Sequence, residues 1–407
     1  MSKLISRINH KQILIFILIL AAFLRLFRLD YPSKFMFDEV YHAYTATQYL
    51  QGNKDAWVWW TKAPKEGVAY EWTHPPLAKE IMTASMFLVK SQDGWAWRLP
   101  GVLLGIFSVF LIYLLGLKLL NSRVASLIAA FVFSIDGLNF AQSRIGMNDI
   151  YYVTFALLSL LLVLNKKYFL AALFFGFAFA SKWAAIYMLL ILVSLILIQK
   201  AKFKLIYFFI IPPAVYLLSY TPFFLSGHTP AQFWELQNQM WWYHTNLKAT
   251  HSYSSPWWSW PLNLYPVWYF VEYGKDTIAN IYGSGNSVLF WLGSLAVVLT
   301  IWEAIKIKSQ KLFTVALAFL VFWLPWSVSP RIMFLYHFAP TLPFLCLSLG
   351  HQLNGLWQTK EKRKFVYLVL ILIALSFIIV YPFLTGIPIP KNLVKIFFLT
   401  NLSKYQF

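Results

Sequence analysis

Residues 3–41 read KLISRINHKQILIFILILAAFLRLFRLDYPSKFMFDEVY, and the order of chemistries along them decides the fold: basic, apolar, then acidic. Lys3, Arg7 and Lys11 precede an apolar run over 13–24, and the adjacent acids Asp38 and Glu39 follow it. That order marks a chain entering a membrane from its cytoplasmic side. The run is short enough to resemble a signal-peptide core, with Ala21-Ala22 as a weak cleavage site. An uncleaved span ending near Leu29 accounts for it better, because Arg25 and Arg28 reach the far interface on long apolar stems.

The pattern repeats along the chain. Hydrophobic residues make up 59% and charged residues 12%, a composition of polytopic membrane proteins rather than of soluble domains. Further apolar runs fall at about 99–117, 124–137, 149–164, 168–181, 184–199, 205–224, 287–305, 312–328, 332–350 and 365–385, with 168–199 the hardest to divide. Eleven membrane-spanning helices with a cytoplasmic N-terminus put every Lys/Arg cluster inside, from Lys118 and Arg123 to Lys360–Lys364, and the C-terminal tail outside. Nearly all of the 15 acids then lie outside. The formal charge of +19 therefore points to anionic lipid headgroups and not to nucleic acid, for which no binding motif is present. Cys346, the single cysteine, reads as a small buried residue. The expected class is an all-α polytopic protein of the cell membrane.

Two long outer loops remain, about 30–97 and 225–286. Asp38 to Leu50 has helical spacing, with Val40, Ala43, Tyr44 and Thr47 on one face, and reads as a helix lying along the interface. A second helix is expected after Pro75-Pro76, with Leu77, Ile81, Met82 and Met86 on one side. Trp257, Trp258, Trp260, Trp268 and Tyr269 read as an interfacial aromatic belt.

Ionisable residues at outer helix ends carry a solvation cost unless paired or near water, so they mark a polar cavity. They are Asp38, Glu39, His74, Arg98, Asp136, Arg144, Asp149, Lys182, Arg331 and His337. An acid suits a base or a metal; Arg and Lys suit a phosphate. Plainer readings stand beside these. Arg98 fits a snorkelling residue, His74 a turn cap and Lys182 a structural cation; Arg331 fits an ordinary helix start and Asp136, Arg144 and Asp149 a local ion-pair network. Asp38, Glu39 and His74 could hold a divalent cation, but no closely spaced ligand set is visible, and catalysis without metal or cofactor is expected.

Several motifs occur in order: FDEVYHA (37–43), HPPLAKEIM (74–82), WRLPGVLLG (97–105), DGLNFAQSRIGMND (136–149), GFAFASKWAA (176–185), SSPWWSWPLNLYPVWYF (254–270), GSGNSVLFWLG (283–293) and SPRIMFLYHFAPTLPFL (329–345). Together they resemble the protein O-mannosyltransferases, which are C-type membrane glycosyltransferases. No β-trefoil MIR domain interrupts the second loop, a departure from eukaryotic members that suggests a prokaryotic enzyme. The resemblance implies a mannosyltransferase region over 1–240 and a four-helix C-terminal region over 241–407. It implies inverting transfer of mannose from polyprenyl phosphate mannose to Ser/Thr hydroxyls of exported polypeptides at the outer face. Asp38 matches the catalytic carboxylate, Glu39 its companion that positions the acceptor, and Arg98 a basic residue associated with the donor phosphate. Arg331 and His337 lie in the C-terminal motif facing the same cavity. A glycolipid-modifying transferase of the same superfamily and a sugar or lipid transporter are the alternatives; acceptor labelling separates the first, and flux independent of Asp38 the second.

Overall fold

A computed structural model describes residues 9–397. Lys3, Arg7 and the end of the C-terminal tail, to which the sequence assigns opposite sides of the membrane, lie outside the described residues. Each of the eleven apolar runs contains a helix. Five are long and apolar enough to cross a membrane: Gly94–Leu119, Lys202–Ser219, Ser287–Lys306, Gln310–Val328 and Lys360–Val380. Shorter apolar helices occupy Arg123–Ser134, Asp149–Leu164, Tyr168–Ser181 and Trp183–Ile198, with His10–Leu26 and Leu342–Trp357 completing the set.

The first helix illustrates the logic. Asn9 and Gln12 cap it reciprocally, and Leu14, Ile17, Ala21 and Arg25 form one buried stripe against Gly94–Leu119 and Arg123–Ser134. Phe16, Ile19 and Phe23 on its other face are more than 60% exposed. Large apolar side chains left outward around a packed interior are a lipid-facing surface.

The run 168–199 divides at Lys182, whose extended backbone ends one helix before a turn of 3₁₀ helix over Trp183–Ala185. The run 332–350 is not one helix. Leu335–Thr341 winds as 3₁₀ helix, and the α-helix starts only at Leu342. Pro340 lacks an N–H for the helical ladder, and Pro343 is tolerated in a first turn.

The outer loops depart further from expectation. Asp38 lies in a 3₁₀ turn over Phe37–Val40, and the helix that follows, His42–Leu50, is buried from His42 to Thr47 instead of lying along the interface. It packs on Leu77–Val89, which starts after Pro75-Pro76 and buries Ala78, Lys79, Met82 and Met86. The second loop contains strands that an all-α reading omits: Val267–Tyr273 pairs antiparallel with Thr277–Gly283, which also pairs with Ile389–Pro390. The aromatic belt is largely folded inward, with Trp260 fully buried and Tyr269 buried on its strand, although Trp258 stays exposed.

One apolar core runs through both parts of the chain, and the division expected at 240/241 falls inside the Pro230–Asn246 helix. A joint fixes the two parts. Asn286 donates its backbone N–H to the Asp136 carbonyl at 2.6 Å and its amide to the carbonyls of Ile135 and Ile373. Gly137, at φ +87°, lies so close that a Cβ there would sit 2.8 Å from the Ser284 carbonyl oxygen. Only glycine meets both conditions.

Candidate active site

Phe37 adopts a left-handed backbone (φ 46°) and stacks on Tyr269 at 4.6 Å between ring centroids, with Tyr336 edge-on at 6.0 Å. Such a conformation in a bulky residue persists only where packing over-determines it. The turn that follows sends Asp38 and Glu39 in opposite directions. Asp38 is half-buried and lines a cavity of about 390 Å³; Glu39 is wholly buried beneath it.

The cavity brings Asp38 together with His42, His74, Asp149, Lys182, His244, Arg331, Tyr336 and His337, and Trp183, Ile186, Trp241, Trp326 and Val328 form an apolar flank. Lys182 is held by both oxygens of Asp149, at 2.9 and 3.0 Å. Arg331 has no carboxylate partner among the described residues; its Nη1 lies 2.6 Å from His244 Nδ1, and its buried Nε has no partner. No protein hydrogen bond reaches the Asp38 carboxylate among the described residues. Desolvation pushes its pKa up to about 7; Lys182 and Arg331 oppose this, while Asp149 and Glu71 add to it. A carboxyl poised near neutral pH beside cations suits proton abstraction coupled to departure of an anion.

Beneath His42 and His74 lies a second buried carboxylate, Glu71. It accepts from the Thr73 N–H at 2.9 Å, the Thr73 hydroxyl, His74 Nδ1 at 3.0 Å and Lys79. Burial raises its pKa, but Lys79, His74 and His42 outweigh that and hold it well below the usual carboxylate range. Donation from Nδ1 leaves the His74 Nε2 lone pair as that ring's acceptor. Burial pushes the pKa of His42 down to about 4 and that of His74 well below the ordinary range, so both rings are neutral near pH 7.

Two family models together cover residues 15–400. Residues 15–246 match dolichyl-phosphate-mannose-protein mannosyltransferase, and 229–400 match the C-terminal four-transmembrane region of protein-O-mannosyltransferase. The chain belongs to this family. A polyprenol-phosphate-mannose–protein mannosyltransferase of Mycolicibacterium smegmatis is 23% identical over 92% of the chain and 89% of that protein. The fold is shared with the Saccharomyces cerevisiae Pmt1-Pmt2 complex bound to the sugar donor (TM-score 0.80, 15% identity, 96% of this chain and 92% of that one). It is shared more distantly with ArnT from Cupriavidus metallidurans (TM-score 0.60, 14% identity, 84% and 59%). The protein is a multi-pass membrane mannosyltransferase with the C-type glycosyltransferase fold.

Six of the ten residues singled out in this mannosyltransferase by sequence share the cavity: Asp38, His74, Asp149, Lys182, Arg331 and His337. The other four lie elsewhere, and in each case the hydrogen bonds say why. Arg98 is wholly buried with all five N–H donors used: two on Glu39, at 2.7 Å each, and the rest on the carbonyls of Leu29, Pro32 and Lys34. No donor is left for a phosphate. Glu39 accepts from Arg98, Trp97 Nε1, Gly146 N–H and Met36 N–H, so no acceptor substrate reaches it. Arg144 donates to the carbonyls of Leu24, Arg25 and Arg28, capping the end of the first helix. Asp136 accepts the Asn139 N–H at 2.7 Å within the joint. The local network expected for Asp136, Arg144 and Asp149 is absent among the described residues, since Asp149 pairs with Lys182. His42, Glu71, His244 and Tyr336 are not picked out by the sequence; His42 is the most recoverable, four residues after Asp38 on the first turn of the buried helix that follows the 3₁₀ turn.

Proposed function

We propose that this mannosyltransferase moves mannose from polyprenyl phosphate mannose to Ser or Thr hydroxyls of exported polypeptides, with inversion at the anomeric carbon, at the outer face of the cell membrane. The observation that carries this reading is Asp38, without a protein hydrogen bond to its carboxylate among the described residues, in a cavity that also presents Lys182 and Arg331. Asp38 takes the hydroxyl proton while the acceptor oxygen bonds to the anomeric carbon. The bond from that carbon to the phosphate oxygen breaks, and its electron pair leaves with the polyprenyl phosphate. Arg331 and Lys182 face the singly charged phosphodiester of the donor and stabilise the second negative charge that it gains on leaving, an interaction stronger in the transition state than in the ground state. His337 and His74 contribute polar contacts at the cavity wall, and the apolar flank around Trp183 and Val328 receives the lipid side of the donor. The lipid-linked sugar is a substrate, and these steps call for no cofactor. Segregation of basic and acidic loops supports an N-terminus in the cytoplasm and a cavity outside.

The test is direct. Purified protein given polyprenyl phosphate mannose and a Ser/Thr-rich peptide should add one hexose to the peptide, and Asp38→Asn should abolish the addition. Transfer only to a glycolipid or glycan, with the peptide left bare, would overturn the assigned acceptor.

A further inference from the structure

Resting on the donor reading above, we propose that His244 is a positioning residue: it holds Arg331 for the donor phosphate and ties that arginine to the first outer loop. Arg331 follows Pro330 in a segment without regular structure, so no helix aims its guanidinium. His244 does. Its Nδ1 lies 2.6 Å from Arg331 Nη1 and its Nε2 lies 2.7 Å from the Thr73 carbonyl oxygen. Arginine only donates and a carbonyl only accepts, so the ring carries its proton on Nε2 and offers the Nδ1 lone pair. One imidazole thereby joins residue 331 to the residue before His74.

The ring is itself well held. Thr229 and Gln232 cap the Pro230–Asn246 helix reciprocally, and Phe233, Leu236 and Met240 bury one stripe that His244 continues one turn later. Tyr216 donates to Gln237 of the same helix at 2.6 Å, and the His74 ring lies 5.1 Å from that of His244. Burial and the neighbouring Arg331 push the pKa of His244 down to about 4, so the ring stays neutral near pH 7.

A neutral partner matters chemically. A carboxylate at this place would cancel the charge of Arg331, as Asp149 does in part for Lys182; the imidazole orients it and leaves the whole positive charge for a leaving anion. Among the described residues His244 engages only Nη1 of Arg331, which leaves the rest of the guanidinium lining the cavity for that anion.

Asparagine places an amide oxygen where Nδ1 sits, whereas glutamine reaches the Nε2 position, and this separates the two contacts. In full-length enzyme, His244→Ala should raise KM for polyprenyl phosphate mannose about tenfold and lower kcat as well, with the peptide KM within about threefold of the parent. His244→Asn should restore the donor KM to within about threefold, and His244→Gln should match His244→Ala. An Asn variant as impaired as the Ala variant, or an Ala variant with parental donor KM, overturns the proposal. Should His244→Ala not fold, the Asn and Gln variants still decide it. Failure of the parent enzyme to mannosylate peptide would instead sink the proposed function. Affinity for polyprenyl phosphate alone, compared across the same variants, then tests His244 independently.

Discussion

Asp38 and Glu39 are adjacent in sequence and opposite in circumstance. Glu39 is saturated by Arg98, Trp97 and two backbone N–H groups, while the Asp38 carboxylate faces a cavity with no protein hydrogen bond among the described residues. The same contrast separates Arg98, with every donor used, from Arg331, which among the described residues makes one side-chain hydrogen bond, to His244, and lines the cavity. A buried polar group with all its bonds made holds the fold; one held in place with bonds left open can do chemistry.

The contrast breaks first if Asp38→Asn retains turnover. Loss of about 10²–10⁴-fold in kcat is expected, with the thermal midpoint in detergent unchanged. Glu39→Gln should do the reverse. It leaves Arg98 without its counter-charge in the interior, a cost of roughly 3–5 kcal/mol, so the unfolding midpoint should fall steeply and any activity loss should follow the loss of folded protein. At the joint between the two parts, Gly137→Ala should destabilise by about 1–3 kcal/mol in denaturant titration, because its methyl group would meet the Ser284 carbonyl in a left-handed backbone. Arg331→Gln should raise the donor KM about tenfold and leave the midpoint in place.

The smallest effect is on pH. Asp38 must be deprotonated to act, so kcat/KM should rise with pH and level off above about 7. Lys182 favours the ionised form of Asp38, and removing it also frees the charge of Asp149, which disfavours that form. Both changes raise the pKa, so Lys182→Gln should move the acidic limb to higher pH. An unmoved limb would detach Lys182 from Asp38.

Much of the fold was legible because lipid imposes a coarse code. Apolar runs became helices at the expected places, and proline marked the start of Leu77–Val89. The hairpin is hidden in the sequence, although β-branched and aromatic residues flank Gly274-Lys275-Asp276, because tryptophan and tyrosine suit an interface as well as a strand. Within the site, charge at an outer helix end marks six of the cavity residues and also Glu39, Arg98, Asp136 and Arg144, which lie elsewhere. Composition cannot tell a cation facing a ligand from one facing carbonyls.

By itself, then, the sequence determined that this chain is membrane-embedded, helical and polar on one side, because hydropathy and charge act locally and one residue at a time. Its ordered motifs also carried the family. Only the tertiary structure decided which of two neighbouring acids is free, which arginine is spent on the backbone, and that His244, 87 residues before Arg331, orients it. Those outcomes depend on which donors and acceptors meet across long separations in the chain, and no local pattern encodes that.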